Sequence, residues 1–325
     1  MQTLSIGLVG LGRHGMRYAR HLLDGIPGLA LAAVSRRDVA AGEAFARETD
    51  VRFHADWRAL VEDAAVDAVA VVTPHDLHTE PCLAVIAAGK ALLVEKPLAG
   101  RLEDGEAIAR AAAAARAPFI AVAQTLRYEP GVRALRDALV SMGGPLAIHV
   151  LLRGEDRNVG PDGAWRPRGH DGGALLDAGV HFFDLVAFLG LGRVRRAFAR
   201  VDRALGYPVE DSFTAILETD ACPVTIDVTR IGGTRCELIE VLTPRGTLLL
   251  DRFGGGLTRI VGRERTDVAY ARDVATLPHF LADFRDAALG RAPVPVTLDE
   301  GLRALRIAEA CRDSARREAW VALET

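Results

Sequence analysis

Over its first 124 residues the chain alternates short, nearly uninterrupted apolar runs with stretches in which apolar residues recur every three or four positions. The runs cover residues 4–9, 29–34, 66–72, 91–94 and 119–123. Their length and their Val, Ile and Leu content predict strands, and the intervening periodicity predicts helices. A run such as Val66-Asp67-Ala68-Val69-Ala70-Val71-Val72 is apolar at odd and even positions alike, the pattern of a strand covered on both faces. Strand and helix in alternation predict parallel strands joined by crossover helices, since a tight turn cannot close a parallel pair. Gly25, Gly89 and Gly100 punctuate the segment ends. Residues 1–124 are therefore expected to form an α/β domain, a doubly wound parallel sheet.

After residue 125 the rhythm changes. Helical spacing over 131–140 is followed by a strand-like run over 146–152, a loop over 153–170 crowded with Gly, Pro and charge, and a helix over roughly 174–189. From 194 to 261, strand-like runs are separated by turn signals such as Gly206-Tyr207-Pro208, Gly232-Gly233 and Thr243-Pro244-Arg245-Gly246, as antiparallel strands require. Helices over 277–289 and 299–317 close the chain. Residues 125–325 are expected to form a second domain, α+β with a mostly antiparallel sheet, and 325 residues suit two domains of ordinary size.

Composition narrows the function classes. Half of the residues are hydrophobic but only 6% are aromatic, so the core must be aliphatic. The formal charge is 40 − 43 = −3, and the arginines are scattered among carboxylates, leaving no basic stripe for nucleic acid and no polybasic membrane anchor. No apolar stretch reaches the roughly 18 residues of a membrane span, and the start lacks a signal-type pattern, so a cytoplasmic protein is expected. Cys82, Cys222, Cys236 and Cys311 are far apart, which suggests neither disulfides nor a cysteine-based zinc site. Among the 40 basic residues only Lys90 and Lys96 are lysines. Arg replaces Lys freely where a cation is solvated or paired with a carboxylate, but not where chemistry needs a compact ammonium.

Gly10-Leu11-Gly12-Arg13-His14-Gly15 follows the first strand and opens a helix. In that context a G-x-G-x-x-G turn binds a dinucleotide, its glycines allowing the tight turn and its helix N-terminus offering N–H groups to the pyrophosphate. The second strand ends Val34-Ser35-Arg36-Arg37 without the acidic residue that would hold an NAD ribose. A hydroxyl followed by guanidinium forks suits a 2′-phosphate, so NADP is favoured over NAD. Thr73-Pro74-His75-Asp76-Leu77-His78 and Glu95-Lys96-Pro97 lie at the carboxyl ends of strands, where open α/β sheets bind ligands. Pro97 keeps Lys96 out of helical geometry. Lys90, after Gly89, is explained by the negative end of a helix dipole; Lys96 has no such explanation. Further on, Asp177, His181 and Asp184 are spaced i, i+4, i+7 on an otherwise apolar helix, so that a carboxylate one turn away can orient an imidazole. His75 and His78 lack a third neighbour for a metal, and none is expected.

Together, the Gly10–Gly15 turn, Thr73-Pro74…His78, Ala88-Gly89-Lys90…Glu95-Lys96-Pro97-Leu98, Arg127-Tyr128-Glu129-Pro130 and Gly172-Gly173-Ala174-Leu175-Leu176-Asp177-x-Gly179-x-His181-x-x-Asp184 resemble the Gfo/Idh/MocA family of NAD(P)-dependent oxidoreductases. The resemblance covers nearly the whole chain. It implies an N-terminal Rossmann domain, a C-terminal domain with a large open sheet used for homodimer or homotetramer contacts, and sugar, cyclitol or related polyol substrates. By matched position it implies that Lys96 touches the substrate hydroxyl and the nicotinamide ribose, that Asp177 binds or orients substrate, and that His181 is the acid/base. It also implies that Thr73, Pro74, His78 and Glu95 shape the nicotinamide half of the cofactor site, and that Arg127, Trp165 and Arg166 border the substrate; His75 and Pro97, in the same two segments, are expected at the cofactor as well. The chain departs from the family pattern at His75 and at Gln124-Thr125-Leu126.

The expected reaction is hydride transfer between nicotinamide and a secondary alcohol or ketone, with His181 taking the hydroxyl proton and the Lys96 ammonium facing the developing alkoxide. The rival reading is a non-catalytic NADP-binding sensor or regulatory protein of the same fold. Lys96, Asp177 and His181 together disfavour it, since a redox-dead descendant has no chemical need of all three.

Overall fold

The structure is a computed structural model and describes residues 2–115, 119–154, 172–204, 206, 208–232, 234–272 and 274–323. It divides into two compact units, Met1–Thr125 with Ala275–Leu302, and Leu126–Val274 with Arg303–Thr325. Residues 275–302, expected with the second domain, cluster with the first unit.

The first unit runs β1 (Leu4–Val9), α1 (Arg13–Leu23), β2 (Leu29–Ser35), α2 (Val39–Thr49), β3 (Arg52–His54), α3 (Trp57–Glu62), β4 (Ala68–Val71), α4 (Thr79–Ala87), β5 (Ala91–Glu95), α5 (Leu102–Ala114) and β6 (Ile120–Ala123). Its six strands are all parallel, in the order β3-β2-β1-β4-β5-β6. The strand order reverses between β1 and β4, and at that switch point the carboxyl ends of the strands open a crevice for a ligand. The near-continuous apolar runs are explained by burial on both faces: every residue of β4 and β6 is buried. The three-residue β3 was not foreseen because its one apolar residue, Phe53, stands between Arg52 and His54.

The second unit contains α6 (Pro130–Met142), β7 (Ala147–Arg153), a π turn at Leu175–Gly179 continuing into α7 (Val180–Phe188), and then β8 (Val194–Asp202), β9 (Ser212–Thr219), β10 (Pro223–Thr229), β11 (Cys236–Thr243), β12 (Gly246–Asp251), β13 (Gly256–Val261) and β14 (Glu264–Val268). After α8 (Thr276–Ala288), in the first unit, come α9 (Leu298–Arg317) and β15 (Val321–Ala322). The nine strands form one sheet, β14-β13-β12-β11-β7-β10-β9-β8-β15, antiparallel except where β7 lies parallel to β10. Phe213, Ala215 and Leu217 of β9 are buried while the alternate Thr214 and Ile216 are exposed, the period-two signature of a sheet covered on one face only. The α/β class with a mostly antiparallel second sheet is thus observed. No helix among the described residues is long and apolar enough to cross a membrane.

Candidate active site

The glycines of the first turn have three different reasons to be glycine. Gly10 adopts φ +101°, and a Cβ on it would stand 2.7 Å from the Val72 carbonyl oxygen. A Cβ on Gly15 would stand 1.9 Å from the Gly10 carbonyl oxygen, so the helix lies against the turn with no room for a methyl group. Gly12 is different: it has an ordinary φ of −82° as N-cap of α1, and a Cβ there would meet nothing within 4 Å. Open space beside a glycine at a helix N-terminus is the cradle a pyrophosphate needs, since the first-turn N–H groups have no intrahelical partner. No side chain caps this terminus and no acidic residue stands in its first turn. The residues present therefore fit a dinucleotide. Arg13 and His14 are exposed on that first turn. The His14 imidazole has its pKa lowered, first by desolvation and then by the positive Lys96, Arg17 and Arg13, with Glu95 opposing.

At the end of β2, Ser35 is buried, Arg36 half-buried and Arg37 exposed. The Ser35 carbonyl accepts from Gly10 N–H at 3.0 Å, tying β2 to the glycine turn. Asp38, the nearest acidic residue, caps α2 by accepting from Ala41 N–H at 3.0 Å and lies 3.8 Å from the Arg36 guanidinium.

The His78 ring sits between the loops after β4 and β5, and as a neutral imidazole it has one N–H to donate to the carbonyls that face its two nitrogens. The ring is fully buried, with Nε2 2.9 Å from the Thr73 carbonyl and Nδ1 3.1 Å from that of Pro97. Burial lowers its pKa, against the pull of these carbonyls and of Glu95. The ring has no accessible surface, so the part expected of His78 in shaping the cofactor site runs through the segments it packs against. It sets where Thr73 and Pro97 stand, with Pro74 exposed and His75 half-buried between them. Glu95 ends β5 with one carboxylate oxygen accepting from Tyr18 O–H at 2.8 Å and the other from the Lys96 N–H at 2.9 Å. Lys96 itself is half-buried at the carboxyl end of the sheet, and its bond to Pro97 is cis. Lys90 donates to the Asp63 carbonyl at 2.6 Å. Asp63 is the C-cap of α3, so the ammonium meets the negative end of that helix rather than of α4, which it follows in sequence.

In the second unit the regular i, i+4, i+7 face expected for Asp177, His181 and Asp184 is interrupted. Leu175–Gly179 form a π turn, and along it exposure falls from exposed Asp177 through half-buried His181 to buried Asp184. Asp177 lies 3.8 Å from the Arg230 guanidinium, a neighbour that sequence spacing could not indicate. Arg127, expected beside the substrate, is instead bound to Asp184 by a two-pronged pair, Nε to Oδ2 at 2.7 Å and Nη2 to Oδ1 at 2.6 Å, with side-chain exposures of 8% and 1%. That pair fastens Arg127 to α7. The Gly172-Gly173 pair also finds its reason: Gly173 takes φ +73°, and a Cβ on it would lie 2.5 Å from the carboxyl carbon of Glu210. That buried carboxylate accepts from Leu175 N–H at 3.3 Å and from Arg312 at 3.4 Å, capping the helix that carries Asp177 and His181. Trp165 and Arg166, also expected near the substrate, lie outside the described residues. Among the described residues no group of three or more His, Cys, Asp or Glu is placed to hold a metal.

Comparison with known proteins adds the following. Residues 4–122 match the profile described as an oxidoreductase family with an NAD-binding Rossmann fold, GFO_IDH_MocA, and residues 125–249 match the GFO/IDH/MocA C-terminal domain. The chain is 32% identical to inositol 2-dehydrogenase 1 of Saccharopolyspora erythraea, covering 95% of this chain and 93% of that protein. It is 31% identical to inositol 2-dehydrogenase of Paracoccus denitrificans over the same shares. Among solved structures, GenD2 from gentamicin A biosynthesis in complex with NAD superposes with a TM-score of 0.83 at 25% identity, covering 100% of this chain and 97% of that one.

Proposed function

Because the chain belongs to the GFO/IDH/MocA oxidoreductase family, with both of its domains matched, we propose that it is a nicotinamide-dependent dehydrogenase acting on a secondary alcohol of an inositol or related polyol. The observation that carries this reading is the placement, on one carboxyl sheet edge, of the open Gly12 turn and the half-buried Lys96, in a chain similar end to end to inositol 2-dehydrogenases. The bound nicotinamide supplies the hydride acceptor or donor. In this reading His181 removes the hydroxyl proton as general base, and Asp177, held near Arg230, binds or orients the substrate hydroxyls. The Lys96 ammonium stands against the oxygen on which negative charge develops, a task for a compact charge that a planar guanidinium fork fills poorly.

The cofactor reading extends to NADP over NAD. One oxygen of Asp38 accepts from the α2 N-terminus and the other stands 3.8 Å from the Arg36 guanidinium, while Ser35, Arg36 and Arg37 at the end of β2 are the donors that a 2′-phosphate would use. The exposed face of the nine-stranded sheet carries Ile216, and Phe198 and Trp320 with ring centroids 5.7 Å apart and tilted at 45°, apolar surface that supports a homodimer or homotetramer through that face. Sedimentation of the intact protein tests this, and a monomer at micromolar concentration contradicts it. The functional test is a panel of inositols, sugars and other polyols with NAD+ and with NADP+, read at 340 nm. Turnover of at least one polyol with higher kcat/KM for NADP+ is the expected result. Absence of turnover across the panel refutes the enzyme reading, and higher kcat/KM for NAD+ refutes the cofactor preference alone.

A further inference from the structure

Buried Tyr18 and half-buried Glu95 form a pair to which the proposed reaction gives no chemical step. Tyr18 is 1% exposed, and a buried phenol must find an acceptor. The acceptor it has is the carboxylate of Glu95, 77 positions away in sequence, at 2.8 Å. Burial, followed by the negative charge and hydrogen bond of Glu95, raises the phenol's pKa well above 10.0, so it remains a donor at any working pH. The second carboxylate oxygen takes the Lys96 backbone N–H at 2.9 Å. Glu95 therefore does not simply end a strand; it holds the peptide from which the Lys96 side chain springs. Charged and titratable neighbours of the Tyr18–Glu95 pair on the packed elements are His14 and Arg17 from α1, His78 from the loop after β4, and Lys96.

We propose that Tyr18 and Glu95 are positioning residues for Lys96, coupling the helix that begins at the cofactor turn to the ammonium that serves the reaction. This rests on the Lys96 assignment of the proposed function. The coupling follows from the helix itself: α1 opens at Gly12, beside the space for a pyrophosphate, and one and a half turns on presents Tyr18 to Glu95. His14 lies one turn before Tyr18 on the same side of α1, over the same strand end. One rigid element thus sets both the cofactor cradle and the peptide that carries Lys96. Packing alone would be met by Phe at position 18; only the hydroxyl reaches the carboxylate.

The test is Tyr18→Phe in the full-length enzyme, made alone and together with Lys96→Ala. For Tyr18→Phe alone, kcat is expected to fall about tenfold, the scale of one lost charge-assisted hydrogen bond acting on the reacting group. The dissociation constant for reduced cofactor, read by fluorescence, and KM for the polyol stay within about twofold, a split that general loosening of the fold would not produce. Glu95→Gln, which keeps the shape but loses the charge and one acceptor, is expected to lower kcat at least as far. In the Lys96→Ala background, followed as a single turnover with enzyme in excess, Tyr18→Phe should change the rate by less than about twofold. A folded Tyr18→Phe enzyme with kcat within twofold of wild type overturns the proposal. So does an equal tenfold cost in both backgrounds, which would leave the Lys96 assignment standing. Wild-type turnover by Lys96→Ala would instead overturn that assignment, and the proposal with it.

Discussion

Arg127 and Asp184 offer the sharpest separation between a residue that touches substrate and one that holds the fold. Their two contacts of 2.7 and 2.6 Å are almost fully buried. With charge centres about 4 Å apart, and an effective dielectric of about 20, the attraction is about 4 kcal/mol before desolvation is counted. Desolvation cancels most of that gain for the intact pair, but not for a half-pair: Asp184→Ala takes the facing carboxylate from a buried guanidinium, at a cost of about 3–5 kcal/mol. For a unit of this size that is a fall in Tm of roughly 6–20 °C. Replacing both partners, Arg127→Met with Asp184→Leu, should recover most of the loss, because apolar groups of similar volume carry no unpaid charge. The assay is thermal and urea unfolding of the three proteins, with polyol KM measured on each below its transition. The reasoning is refuted if Asp184→Ala costs less than about 1 kcal/mol, or if the double variant remains stable while its polyol KM rises more than tenfold, which would return Arg127 to the substrate.

The cofactor turn separates binding from folding in the same way. Gly12→Ala meets no protein atom within 4 Å, so Tm should hold within about 2 °C while cofactor affinity falls tenfold or more. Gly15→Ala drives a methyl group into the Gly10 carbonyl and should cost a few kcal/mol of stability; calorimetry and cofactor titration of both variants check the contrast. His78 should leave a pH signature. Its folded pKa is lowered by burial, so its contribution to stability is complete above the unfolded value of about 6.5 and drains away as pH falls toward the folded value, at up to about 1.4 kcal/mol per pH unit. His78→Gln should be less stable at pH 8 yet show a shallower loss between pH 6.5 and 5; an unchanged acid slope contradicts the assignment.

What was legible in the sequence was whatever depends on neighbours along the chain. The parallel sheet could be read from apolar runs between helical periods, and the glycine turn from its place after β1. Lys96 could be singled out because thirty-eight other cations are arginine and because Pro97 follows it. Pairings across long separations could not be read. The pairing of Arg127 with Asp184 spans 57 residues, and a buried guanidinium pair has the same local sequence as a ligand clamp. The Tyr18 contact with Glu95 was missed for the same reason. The i, i+4, i+7 spacing of Asp177, His181 and Asp184 assumed a uniform 3.6-residue helix, which the π turn at Leu175–Gly179 interrupts. A hint was present in Gly172-Gly173 ahead of that turn, although only the structure shows that the space is taken by Glu210. Lys90 was rightly assigned to a helix end, but the helix it serves, α3, is the one packed beside it in space.

In the proposed reaction one cation among forty, Lys96, does chemistry that arginine cannot do. The direct measurement is the rate of polyol oxidation by Lys96→Arg, read at 340 nm with saturating cofactor, alongside the cofactor dissociation constant of the same variant. The expected result is a loss of about 10²-fold or more in kcat with cofactor affinity kept within a few-fold. Turnover by Lys96→Arg within tenfold of wild type would contradict it.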